Sequence, residues 1–216
     1  MWLRLSHHCI VLWWSKVAQC NTGKMNLTIP YQTLEVGRIH MNPFHRDAKQ
    51  RSISQLLYND STVNMNDFIL LSPPLRVIEY DRVSGRLRLD TTSIPQFVTK
   101  FNTLQQYIVS TLFLHRLQFF QYDYSHADIE TMFQPLMDGN VFSIFVYPAT
   151  LIRKQGGETM SVNALAPGDI VRFPMYIHGI MLLSNIYNPA PHVHIQHSLP
   201  RLRIQHNIPY MWLVTA

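Results

Sequence analysis

Histidines and arginines are the residues of this chain whose types and spacing bear on chemistry. His192 and His194 alternate, so on a strand they share one face, with His197 on the other. A third imidazole from a neighbouring strand, His206 or His178, would complete a three-histidine zinc site. A ligating histidine normally hands its other ring N–H to a carboxylate or a carbonyl, and no acidic residue follows Asp169. The cupin-like pattern, HxH followed by glutamate, also fails, because Gln196 stands nearest. Strand scaffolding, with outward hydrogen bonds to phosphates or bases, is therefore the simpler role. His192, His194 and His206 remain the metal candidates.

Other catalytic constellations are missing. The chain has no Gly-rich phosphate loop, no GxSxG elbow and no cysteine after Cys20, and its carboxylates are scattered. Gly156–Gly157 lacks the lysine and helix of a phosphate loop. No catalytic residue and no cofactor is expected, so the reading is a non-enzyme, with a histidine-based metal-binding enzyme as the lesser alternative.

The arginines carry more. The net charge is +5, and the last part of the chain holds Arg172, Arg201 and Arg203 with no acid to balance them. Such a balance favours an anionic partner. Two further basic stretches are "GRIHMNPFHRDAKQR" at 37–51 and "RVIEYDRVSGRLR" at 76–88. The segments "LRVIEY" (75–80) and "RLRLD" (86–90), with "DRVSG" between them, predict a hairpin. Strict alternation puts Leu87 and Leu89 on one face and Arg86 and Arg88 on the other. On the first strand it sets Val77 and Glu79 against Arg76, Ile78 and Tyr80. An outward arginine and tyrosine face suits stacking and phosphate contact.

The surrounding elements must position these groups. The chain is 47% hydrophobic, 12% aromatic and only 14% charged, so it folds, and part of its surface is expected to be covered by a partner or by other copies. The domain is expected to run over 25–216. Residues 1–24 read as an N-terminal extension, too short in its apolar run to span a bilayer. Cys9 and Cys20 both lie in that extension, so no disulfide framework holds the fold, which suits an intracellular compartment. Short strands are expected before residue 72. Phe97, Phe101, Leu104, Ile108, Leu112, His115 and Phe119 recur at steps of three and four, predicting a long helix started by Ser93 and Pro95. His115 continues the stripe as a boundary or core residue. Ser125 and Asp128 form a capping box for a second, short helix ending near Phe133.

Strands return at 141–148, in a hairpin around Gly156 and Gly157, and in one long strand after the "APGD" turn. There Val171, Phe173, Met175 and Ile177 face one way, and Arg172, Tyr176 and His178 the other. Pro174 marks a bulge or edge and Gly179 a bend. The doubled "IQHSLP" (195–200) and "IQHNIP" (204–209) read as two neighbouring strands. The fold class is thus β-rich α+β, with one long and one short helix after the first strands and extra strands at the C-terminus. Its element order matches an OB-fold-like barrel, whose strands 2 and 3 would be the arginine hairpin.

"FILLSPPLRVIEYDRVSGRLRLD" followed by "FVTKFNTLQQYIVSTLFLHRLQFF" resembles the elaborated OB-fold single-stranded DNA-binding proteins of large DNA viruses. The later "PGD.VRF…HGI.LL" strand and the "R…QH.IP" ending resemble them too, and coverage is about 27–214. The resemblance implies a protein that coats single-stranded DNA during replication, recombination or repair, with little sequence preference and with possible self-association along the strand. It implies an intracellular location, the host nucleus or a cytoplasmic replication site if viral, and no membrane partner.

RNA would reward the same basic and aromatic surface. The residues expected to touch nucleic acid are Arg76, Tyr80, Arg82, Arg86 and Arg88, then Arg172 and Tyr176, then Arg201 and Arg203, with Arg153 and Lys154 as loop contacts. The competing class is a structural or assembly β-protein, such as a small virion component. DNA binding requires Arg86, Arg88, Arg172 and Arg203 to converge on one groove. A structural protein would disperse them and expose a large apolar patch.

Overall fold

The computed structural model describes residues 28–60, 63–65, 68–154, 156–183 and 199–214. The 1–24 extension, His192, His194 and residues 195–198 of the first "IQHSLP" copy, His197 among them, lie outside the described residues.

Six strands come first: β1 (Thr28–Pro30), β2 (Ile39–Met41), β3 (His45–Arg46), β4 (Ser52–Asp60), β5 (Val63–Met65) and β6 (Phe68–Leu71). The expected hairpin follows as β7 (Leu75–Asp81) and β8 (Arg86–Asp90). Helices α1 (Pro95–Leu114), α2 (Arg116–Phe120) and α3 (His126–Met132) come next, then β9 (Phe133–Gln134), β10 (Met137–Asp138) and β11 (Val141–Phe145). The chain ends with β12 (Leu151–Arg153), β13 (Thr159–Ser161), β14 (Ile170–Arg172), β15 (Pro174–Leu183), β16 (Arg201–Asn207) and β17 (Tyr210–Leu213).

These strands form two mixed sheets, and the fold is β-rich α+β. Among the described residues one sheet has nine strands, with β1-β6-β15-β16-β9 as its main path and β2 to β5 attached through β4. The other has eight, in the order β10-β11-β8-β7-β14-β17-β12-β13. Its end strands β10 and β13 do not pair with each other, so the sheet is open among the described residues. The closed barrel expected from element order does not form among the described residues. Element order alone fixes neither partners nor closure, because β12 and β17 pair across a separation of about sixty residues.

Pro174 shows how one apolar run serves both sheets. The stretch read as a single strand breaks at Phe173: β14 belongs to the eight-stranded sheet and β15 to the nine-stranded one. Ser72 holds the crossing, since the Phe173 N–H donates to Ser72 Oγ at 2.9 Å and the Ser72 N–H donates to the Phe173 carbonyl at 2.9 Å. The alternation itself is as expected, with Val171, Phe173, Met175 and Ile177 buried. Further along, β15 changes partner from β6 to β4, and its register against β16 shifts between Ile177 and Gly179. A Cβ on Gly179 would stand 2.2 Å from the Ser54 carbonyl oxygen, so only glycine lets β4 approach.

One core fills the space between the sheets and α1. Phe97, Phe101, Leu104, Ile108 and Leu112 are buried as their spacing predicts. Phe97 and Phe101 meet Phe142 of β11 with ring centroids 5.3 and 4.8 Å apart. Pro95 is the first helical residue, and Ile94, rather than Ser93, caps it. His115 is the exception to the stripe: it is exposed and breaks the helix between α1 and α2. Arg116 explains part of the break, donating from Nη1 to the Phe113 carbonyl and from Nε to Asp123. The capping box of α3 is present, with Ser125 N–H on Asp128 Oδ2 at 2.9 Å and Asp128 N–H on Ser125 Oγ at 3.1 Å.

Candidate nucleic-acid interface

The hairpin's faces depend on a single extra residue. Val77 lies opposite Leu89, but the next pair is Glu79 opposite Arg88, so Ile78 bulges. A bulge moves every later side chain to the other face. Glu79 therefore turns outward beside Arg88, and Tyr80 turns inward opposite Leu87. Tyr80 packs against the core. Its hydroxyl oxygen is shielded from water and has no hydrogen-bond partner among the described residues. Burial raises the Tyr80 hydroxyl above the ordinary tyrosine range. Strict alternation had set this ring outward for stacking; the bulge removes it from the surface.

The outward row across β7, β8 and β11 is then fixed by register. Asp81, Arg86 and Phe145 stand side by side, and so do Glu79, Arg88 and Ser143. The β9 and β16 edge of the other sheet rises beside this row and completes a groove of about 780 Å³. Arg86, Arg88, Phe145, Phe133, Gln134 and Arg203 are among its lining residues. Arg203 stacks over Phe145, its guanidinium carbon 5.5 Å from the ring centre. Phe145 is 38% exposed, an unusual place for phenylalanine on a sheet face.

Carboxylates share the groove, and their partners decide its charge. Asp81 is engaged in its own turn, accepting from the Val83 N–H at 2.9 Å and the Ser84 hydroxyl at 2.5 Å. The Ser84 and Val83 hydrogen bonds hold it below the usual carboxylate range. Glu79 sits 3.5 Å from Arg88 with both side chains about half exposed, a weak pair. Asp138 is the third acid in the lining. Arg86 and Arg203 have no carboxylate within ion-pair distance among the described residues.

His206 supports the groove from beneath. It lies on the buried face of β16, and its Nε2 accepts the Phe145 N–H at 3.1 Å while Nδ1 lies 3.3 Å from the Ile204 carbonyl. This fixes the Nδ1–H tautomer. The ring replaces a strand partner for β11 where β10 has ended. Burial, reinforced by the charges of Arg203 and His178, lowers its pKa to about 4. Both ring nitrogens are occupied, so His206 has no lone pair left for a metal. No group of three His, Cys, Asp or Glu residues suited to a metal occurs among the described residues.

The other expected contacts fall elsewhere. Arg76 is exposed on the same outer face, opposite Asp90. Arg82 turns away from the groove, donating from Nη2 to the Asn163 carbonyl at 2.8 Å. Arg172 donates from Nε to the Ser72 carbonyl at 3.1 Å, and burial pulls its guanidinium below the ordinary value. Arg201 is exposed at the start of β16, on the Arg203 side but outside the groove. Arg153 lies over the Tyr210 ring at 5.2 Å, and Lys154 pairs with Glu158 at 3.4 Å. Tyr176 is on β15 of the nine-stranded sheet.

Three of the four arginines named for convergence thus share the groove, and Arg172 does not. Phe145 was missed. Alternation in "VFSIF" buries Phe142 and Ile144, yet nothing in it says that Phe145 will lie beside Arg86.

Among the described residues no helix is long and apolar enough to cross a membrane. Comparison with known proteins returns no match: no family model fits the chain, and no curated protein and no solved structure is significantly similar to it.

Proposed function

We propose that the protein binds single-stranded DNA without catalysis, gripping phosphates in the groove between the β8–β11 face and the β16 edge. The observation that carries this reading is the convergence of Arg86, Arg88 and Arg203 around the exposed Phe145. Guanidinium groups neutralise phosphates and release counterions, and each phosphate held on a single strand adds about 0.7 to the log–log salt slope. An outward aromatic beside them offers a base a stacking partner. The reading rests on this surface and not on an OB-fold barrel, which does not close among the described residues.

Fluorescence-anisotropy titration with labelled oligo-dT over a salt series, against duplex of equal length, tests the reading. Submicromolar, salt-sensitive binding that favours the single strand is expected. No binding at low salt would reject it in favour of a structural or assembly protein. That second reading draws on Leu114, Leu117 and Tyr122, which are 72%, 62% and 62% exposed around the end of α1 and α2.

A further inference from the structure

The eight-stranded sheet carries a second aromatic and basic cluster on strands that the groove does not reach. Trp212 of β17 lies directly opposite Arg172 on one side and Arg153 on the other. Tyr210 precedes it on the same face and meets it edge-on, with ring centroids 4.8 Å apart. The Arg153 guanidinium lies over Tyr210, and Leu151, opposite Tyr210, is 50% exposed. Met211, Ile152 and Val171 are buried between these residues, so the rings and guanidiniums belong to the outer face. Burial raises the Tyr210 hydroxyl, consistent with a ring set into the surface rather than standing free of it.

Register links this cluster to the groove. Val141, Asp90, Arg76 and Ile170 form one row across four strands. Arg88 and Arg86 lie two and four residues from Asp90 toward the hairpin tip. Arg172 lies two residues from Ile170 in the opposite direction, because β14 runs antiparallel to β7. Arg86, Arg88, Arg76, Arg172, Trp212 and Arg153 therefore make a diagonal stripe. At about 3.4 Å per residue and about 4.8 Å per strand its ends are roughly 28 Å apart. Asp90, on the stripe, is bound to the Thr92 hydroxyl and N–H. The outer faces of β14, β17 and β12 bear no carboxylate.

We infer that a single strand of DNA leaves the groove and crosses the sheet along this stripe, with a base stacked at the Tyr210–Trp212 platform. The inference rests on the single-stranded DNA reading above. Phosphates would follow the arginines, and the half-buried rings form a platform already oriented by Arg153 and by each other.

Full-length protein is titrated with oligo-dT from about 4 to about 16 nucleotides, the range of site sizes for single-strand binding folds. Wild type is compared with Trp212→Ala, Trp212→Phe, Arg153→Ala and Arg88→Ala. Trp212→Ala should match wild type on the shortest oligonucleotides and lose about 5- to 150-fold on the longest, the range set by one stacked base. Trp212→Phe should keep most of that affinity. Arg153 is exposed, so Arg153→Ala keeps the test alive if Trp212→Ala unfolds. Affinity equal to wild type at every length in both alanine variants, with Arg88→Ala weakened, overturns the stripe and leaves the function standing. Failure of wild type at every length removes both, and preference for oligo-U over oligo-dT overturns the assignment to DNA.

Discussion

The two ends of the eight-stranded sheet's outer face are built from the same residue types in opposite ways. At the groove end, among the described residues, Arg86 and the facing Arg203 of β16 are not held by carboxylates, and Phe145 is partly exposed beneath the Arg203 guanidinium. At the far end Arg172 is anchored on the Ser72 carbonyl, Arg153 lies on Tyr210, and both rings are half-buried. The first arrangement leaves charge available for a ligand's phosphates. The second fixes a shape. Flexible cations give affinity that salt can screen, whereas pre-set rings contribute stacking that salt hardly touches. The ends also differ in their attachment to the second sheet. A histidine, which titrates, joins β16 to β11 under the groove, while serine and carbonyl contacts hold the β14–β15 crossing.

Acid should break this comparison most strongly. The His206 imidazole titrates near 6.5 when free and near 4 in the fold, because burial excludes its charged form. Between these values the unfolded chain binds the proton and the folded one does not. The stabilisation is therefore complete above pH 6.5 and declines as pH falls to about 4, by about 3 kcal/mol in all. Hydrogen exchange at pH 4.5 should loosen β11 and β16 before β14 and β17; the reverse order would show that His206 is not the weak joint.

Removing charge at one end comes next. Arg86→Ala with Arg88→Ala should weaken oligo-dT binding at least about tenfold, given about 1.5–3 kcal/mol for a hydrogen bond to a charged group. The log–log salt slope should fall by about 1.4 if each arginine holds one phosphate. An unchanged slope would mean that these side chains do not touch the backbone of the DNA.

Tyr80→Phe separates the two faces of the hairpin. It deletes a shielded hydroxyl that lacks a partner among the described residues, and should raise stability by about 1 kcal/mol in urea unfolding. Oligo-dT affinity should not change, since the ring faces inward; a loss of binding would return Tyr80 to the interface.

The smallest effect is a gain. Glu79→Gln releases Arg88 from its exposed partner, and affinity should rise about two- to fivefold at low salt, within the worth of a surface pair. The gain should vanish at high salt, and titration at two ionic strengths reads both arms.

Much of the local structure could be read from the chain because it depends on near neighbours. The stripe from Phe97 to Leu112, the Ser125–Asp128 capping box, the hairpin around "DRVSG" and the glycine turn between β12 and β13 follow from period and turn chemistry. The placement of Arg86 and Arg88 on an outward face followed from alternation with Leu87 and Leu89. Tertiary structure decided the rest. The Ile78 bulge reversed Tyr80 and Glu79, a one-residue event that alternation cannot signal. The chain's passage between sheets at Phe173 sent Arg172 to one sheet and Tyr176 to the other. His206, a candidate metal ligand by spacing, became the buried joint under Phe145, because only packing brings β16 against β11. Periodicity determines which side of an element a residue takes; register and long-range pairing determine what it meets there.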